Sequence, residues 1–155
     1  MKMTPWLVPA ILLVAWGAYA GQPANITGTW CLNLEKSSWE SKPQPHAVML
    51  IIEHQEPMLE YRGQVTSPTD LVRDFAFKGA IDGKRYPMIR SMGPGTAVLY
   101  RINDTTFESI FRTDDGAGTE TTRTSVSADG RRLTRKIHNE SPQGNTSWVE
   151  IYERR

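Results

Sequence analysis

Apolar and polar residues alternate with a period of two along almost the whole chain from Ile26 onward, with Thr, Val, Ile, Phe and Tyr spread through the alternation. A period of two puts successive side chains on opposite faces of a strand, whereas an amphipathic helix needs apolar residues three and four apart. No useful window offers the helical spacing, so the chain reads as all-β.

Turn residues cut the alternation into nine or ten short strands. The first is expected from about Ile26 to Leu34, with Ile26, Gly28, Trp30, Leu32 and Leu34 on one face. A long connection, Glu35 to Pro45, follows. Strand two, Ala47 to Gln55, is apolar on both faces, which predicts that both are covered. Strand three, Met58 to Thr66, turns Leu59, Tyr61, Gly63 and Val65 one way, and strand four, Asp70 to Lys78, turns Leu71, Arg73, Phe75 and Phe77 inward. A short segment spans Arg85 to Arg90, and Gly93-Pro94-Gly95 reads as a break. A hairpin around Asp104 joins Thr96 to Asn103, lined by Val98, Tyr100 and Ile102, with Thr105 to Thr113, lined by Phe107 and Phe111. Thr119 to Ala128, Arg131 to Asn139 and Asn145 to Arg154 complete the set, with Asp129-Gly130 as a tight hairpin signal.

Sequential hairpins favour an antiparallel up-and-down barrel of eight to ten strands, whose closure removes both vulnerable edges. A two-sheet sandwich fits the same local patterns. A barrel of this size either fills its interior with side chains or encloses one small ligand.

Residues 1 to 20 read as a signal peptide: Lys2 supplies the positive start, Leu7 to Trp16 the apolar core and Ala18-Tyr19-Ala20 the cleavage site. From Trp6 to Ala20 is 15 residues, short of the roughly 20 that cross a bilayer, so no membrane span is expected in the mature chain. Residues 21 to 155 then form one domain, exported to a periplasmic or extracellular compartment. Removing Lys2 from 18 basic residues leaves 17 against 17 acidic ones, which argues against a nucleic-acid partner. Cys31 is the single cysteine. Next to an inward Trp30 it faces outward, as an inert thiol or the bridge of a disulfide-linked homodimer.

Gly28-Thr29-Trp30 on the first strand resembles the G-x-W motif that opens the lipocalins and related calycin barrels. The wider run to Lys36-Ser37, with Ser127-Ala128-Asp129-Gly130-Arg131-Arg132-Leu133-Thr134 and Pro142-Gln143-Gly144 before a final strand, is similar to small exported bacterial proteins called lipocalin-like. The resemblance implies a lipocalin-like barrel whose base Trp30 closes, with an arginine from a late strand, Arg135 or Arg154, packed over the ring.

No catalytic pattern stands out. His46 and His54 on one strand would lie roughly 26 Å apart at about 3.3 Å per residue, too far to share a metal. Gly93-Pro94-Gly95 and Gly116-Ala117-Gly118 lead into no helix that could hold a phosphate. No enzyme activity, cofactor or metal is expected. Arg73 and Arg135 share faces with apolar residues, so each either anchors an acidic ligand group, pairs with a buried carboxylate, or reaches water at a rim. With them, Trp30, Tyr61, Phe75, Phe77, Tyr100, Phe107 and Phe111 fall on the expected interior faces and are the candidate ligand-binding residues. The functional expectation is an exported barrel that binds a small apolar or amphipathic molecule. The alternative is a non-enzymatic envelope module that binds another protein through an apolar outer surface including Met49, Ile51 and Cys31.

Overall fold

A computed structural model describes residues 21–40, 42–90 and 92–155. The expected signal peptide lies outside the described residues. Ten strands follow one another: β1 (Gly28–Leu32), β2 (Ala47–Gln55), β3 (Met58–Thr66), β4 (Val72–Ala80), β5 (Arg85–Arg90), β6 (Gly93–Asn103), β7 (Thr106–Thr113), β8 (Thr119–Val126), β9 (Arg132–Ser141) and β10 (Gly144–Arg154). No helix occurs among the described residues.

Each strand pairs antiparallel with its sequence neighbours, and β1 pairs with β10, so the sheet closes into an up-and-down barrel. Closure decides against the sandwich. One seam is thin. Among the described residues β5 meets β4 only at Ala76↔Ile89 and Phe77↔Met88, whereas β3 meets β4 at nine positions. Pro87 in β5 has no N–H to donate to the ladder.

The barrel is closed at the end where residues 21 to 27 cross it. Ile26 N–H donates to His54 Nδ1 at 3.3 Å, and the Thr27 hydroxyl both donates to the His54 carbonyl and accepts from the His54 N–H. Trp30 is completely buried, its Nε1–H donating to the Ile26 carbonyl at 2.9 Å. The Arg154 guanidinium lies 4.5 Å from the Trp30 ring centroid, so Arg154 rather than Arg135 is the late-strand arginine over this ring. Above them Leu50, Ile52, Leu59, Leu99, Phe107 and Leu133 fill the lower half. The remaining void there is about 30 Å³, room for about one or two waters.

Four expectations are corrected. Met49 and Ile51 on the outer face of β2 are exposed, because the barrel has one interior and no described element covers that face. Gly93-Pro94-Gly95 lies inside β6 instead of breaking it. A Cβ at Gly95 would overlap the Arg112 carbonyl and lie 2.6 Å from the Phe111 ring, so the glycine serves a close approach between strands. The face of β6 is also reversed: Ala97 and Leu99 point in, while Tyr100 and Ile102 are exposed outside. The small residues at Gly95 and Ala97 make room for Phe111, which is 2 % exposed, so the bulkier set is turned out. Leu71 precedes β4 and is exposed at the open end rather than inward.

Candidate binding chamber

The open end carries the β1–β2 connection, residues 33 to 46. It is fastened to the barrel by reciprocal backbone bonds between Ser38 and Val149, at 2.9 and 2.8 Å. This fastening lets Trp39 pack inside the rim against Ile137 and Trp148. The Trp39 carbonyl accepts from the Lys42 N–H at 2.8 Å, so one turn carries both side chains. The Lys42 Nζ sits 3.4 Å from the centroid of the Trp148 ring.

Beneath this connection lies a chamber of about 340 Å³, open to solvent. Val48, Val65, Leu71, Phe75 and three prolines, Pro43, Pro45 and Pro68, form its apolar side; Arg90, Glu120, Arg135, Glu150 and Tyr152 form its polar side, with Lys42, Arg73 and Asp74 toward the mouth. The chamber is therefore amphipathic, with carbon on one wall and charge on the other.

The charges on the polar wall are paired. Arg135 Nη1 donates to Glu150 Oε2 at 3.1 Å, and both side chains are buried. Glu150 also accepts from the Tyr152 hydroxyl at 2.8 Å and from Trp148 Nε1–H at 2.9 Å. Arg90 pairs with Glu120, which accepts from the Thr122 hydroxyl as well. Burial works against the charge on Arg135, but the Glu150 carboxylate, helped by Tyr152, Tyr61 and Glu120, more than reverses this and raises its pKa. Burial likewise opposes ionisation of Glu150, yet Arg135, the Trp148 N–H, Lys42 and the Tyr152 hydroxyl hold it below the usual carboxylate range. Tyr152 is pushed well above 10 by burial and the neighbouring carboxylate. Lys42 is different: burial pulls its amine down to about 8, against the attraction of Glu150 and Glu120. No carboxylate lies within ion-pair distance of its Nζ among the described residues.

The nine residues singled out in the sequence divide between several environments. Arg135 and Phe75 line the chamber, and Arg73 stands exposed at its mouth. Tyr61 and Phe107 border the small lower void, with Tyr61 stacked on Phe77 at 5.6 Å. Phe77, Phe111 and Trp30 are core. Tyr100, 44 % exposed, is on the outside and lines no interior space. Sequence reasoning missed Trp39, Lys42, Arg90, Glu120, Glu150 and Tyr152. For Glu150 a signal existed: Arg135 and Glu150 are equally far from the Ser141–Gly144 turn, so the β9–β10 hairpin places them opposite each other. Trp39 and Lys42 lie in an aperiodic connection, where no such count applies.

Among the described residues no three His, Cys, Asp or Glu side chains gather as a metal site, and no helix is long and apolar enough to cross a membrane. Cys31 is a partly exposed free thiol opposite Met49 and Glu153.

No family model and no curated protein matches the chain. Solved structures do. A fatty-acid-binding protein of Schistosoma mansoni, in complex with arachidonic acid, is similar at a TM-score of 0.59 with 11% identity, covering 87% of this chain and 99% of that one. Zebrafish ileal bile-acid-binding protein, complexed with cholic acid, is similar at 0.56 with 12% identity, over 83% and 98%. The chain has the ten-stranded calycin-type barrel fold of these binding proteins.

Proposed function

We propose that this protein is an exported, non-enzymatic binding protein that holds one small amphipathic molecule in the chamber beneath the β1–β2 connection. The observation that carries the reading is the division of the barrel into a filled lower half and an open upper chamber of about 340 Å³ with one apolar and one polar wall. Such a space favours a compact ligand whose carbon skeleton rests on Val48, Val65 and Phe75 while polar groups meet the paired side chains opposite. The shared fold with proteins solved holding a fatty acid and a bile acid supports it. The mature chain begins after Ala20 in this reading, and intact mass of the secreted product tests that boundary. Nile red, a neutral solvatochromic dye, tests the chamber: its emission shifts to the blue on binding the native chain. Val65→Phe, which narrows the chamber beside Val48 and Phe75, weakens the shift in a protein with unchanged circular dichroism. A native chain that leaves the dye unshifted overturns the reading.

A second reading, a protein-interaction module, is favoured by one feature. Met49, Ile51 and Ile89 are 38, 49 and 60 % exposed and with Ala76 line an apolar groove on the outside of the barrel. Light scattering with and without reductant tests whether this face, beside Cys31, joins two copies. A monomer in both conditions removes that form of the reading.

A further inference from the structure

Resting on the chamber reading above, the reactive group that a ligand meets there can be read from the amines. Of the described lysines, Lys36, Lys78 and Lys84 each have a carboxylate within ion-pair distance, and Lys136 is exposed on β9. Lys42 alone lines the chamber. Its Nζ rests on the ring of Trp148, 3.4 Å from the centroid, with no carboxylate in ion-pair range among the described residues. The Trp39 indole N–H beside it is sealed off, whereas the Lys42 amine is not. Burial pulls this amine down to about 8; Arg90 and Arg135 push the same way, and Glu150 and Glu120 oppose them. A lysine attacks only as the free base, and desolvation beside other cations is what makes such a nucleophile available near neutral pH. At pH 7 the free base is about a hundredfold more abundant at Lys42 than at an ordinary lysine of pKa about 10.4.

We propose that Lys42 is a covalent anchor for a small amphipathic aldehyde, which the chamber holds as a reversible imine on Nζ with its carbon body on Val48, Val65 and Phe75. The free amine bonds to the carbonyl carbon, and the carbonyl π pair moves to oxygen. The nitrogen lone pair then forms the C=N bond as the C–O bond breaks, and two of the three ammonium protons leave with the oxygen as water. The step needs neither oxidant nor reductant, and the positive charge stays on nitrogen. The iminium therefore keeps the surroundings of the ammonium, the Trp148 ring face and the charges of Glu150 and Glu120. The arginines that line the chamber do not compete for the carbonyl carbon, because a guanidinium stays protonated. Cys31, the single thiol, lies on the outer face opposite Met49 and Glu153.

The experiment is reaction of the full mature chain with decanal at pH 7, with cyanoborohydride to reduce the imine to a stable secondary amine, read by intact mass and peptide mapping. The α-amino group of the mature chain, of ordinary pKa about 8, reacts as well and serves as the internal control. The map shows a decyl group at Lys42 and at that terminus, and decanol, which has no carbonyl and competes for the chamber, slows addition several-fold at Lys42 alone. Lys42→Arg keeps the charge and the Nile red shift, and its map shows the terminus only. A native chain labelled at the terminus with Lys42 bare overturns the proposal. So does addition at Lys42 that decanol leaves unslowed, or decyl groups spread evenly over Lys36, Lys42, Lys78, Lys84 and Lys136. In each of those outcomes the Nile red shift persists and the chamber reading stands. A native chain that neither shifts the dye nor carries the adduct at Lys42 loses both.

Discussion

The Arg154 guanidinium covers the Trp30 indole at 4.5 Å from its centroid, and its two terminal nitrogens donate to the carbonyls of Thr27 and Asn25 at 2.9 and 3.2 Å. The last strand thus clamps both the aromatic plug and the segment that crosses the closed end. Trp30→Ala removes a fully buried ring and lowers stability by about 3–5 kcal/mol, whereas Arg154→Ala costs about 1 kcal/mol, because the charge is exposed and its stacking largely hydrated. Urea denaturation measures both. Trp30 does not line the chamber, so a folded Trp30→Ala protein retains ligand binding; unchanged stability would remove the residue from this role.

Arg135 and Glu150 are expected to behave as a unit. Glu150→Ala leaves a buried, unpaired guanidinium and costs about 3–5 kcal/mol, while replacing both by apolar residues of similar size costs much less. The folded-state pKa of Glu150 is depressed, so its contribution is complete above the unfolded carboxylate pKa of about 4.3 and is lost as pH falls through the lower folded value. Thermal melts of the single and double variants measure the difference.

His54 makes the closed end sensitive to milder acid. Its Nδ1 accepts from the Ile26 N–H, so Nε2 carries the proton that faces Glu56 Oε1 at 3.0 Å. Burial, and then the Arg101 charge, lower its pKa. Its stabilising contribution is therefore whole above about pH 6.5, the unfolded value, and erodes as pH falls toward the folded one. His54→Gln flattens stability in that window, measured as urea midpoints between pH 7 and pH 5. An unchanged slope would count against the assignment.

Gly95→Ala forces a methyl group against the Arg112 carbonyl and the Phe111 ring. Overpacking of this kind costs about 1–3 kcal/mol, readable in the melting temperature. Gly116→Ala, with nothing within 4 Å of its Cβ but a φ of 70°, loses stability through backbone strain alone.

What could be read beforehand was whatever local punctuation decides. The bounds of β2, β3 and β5 were legible because Pro57, Ser67-Pro68 and Asp82-Gly83 end or begin them with turn chemistry. The face of β6 was not, since both of its faces carry apolar residues and the choice is made by Phe111 on the neighbouring strand. The outer face of β2 looked covered because period two reports apolarity, not burial. The closure of the barrel, and with it the Trp30–Arg154 contact, follows from β1 meeting β10 across the length of the chain, which no local pattern encodes. The chamber was the least legible part: its mouth is built from an aperiodic connection, and its polar wall needs β5, β8, β9 and β10 together.

The most direct test of the account is native mass spectrometry of the mature chain mixed with decanoate. The expected result is one molecule held per chain, with Val65→Phe, which narrows the chamber, holding it more weakly while remaining folded. A native chain that holds no molecule, or a Val65→Phe chain that holds it equally well, would contradict it.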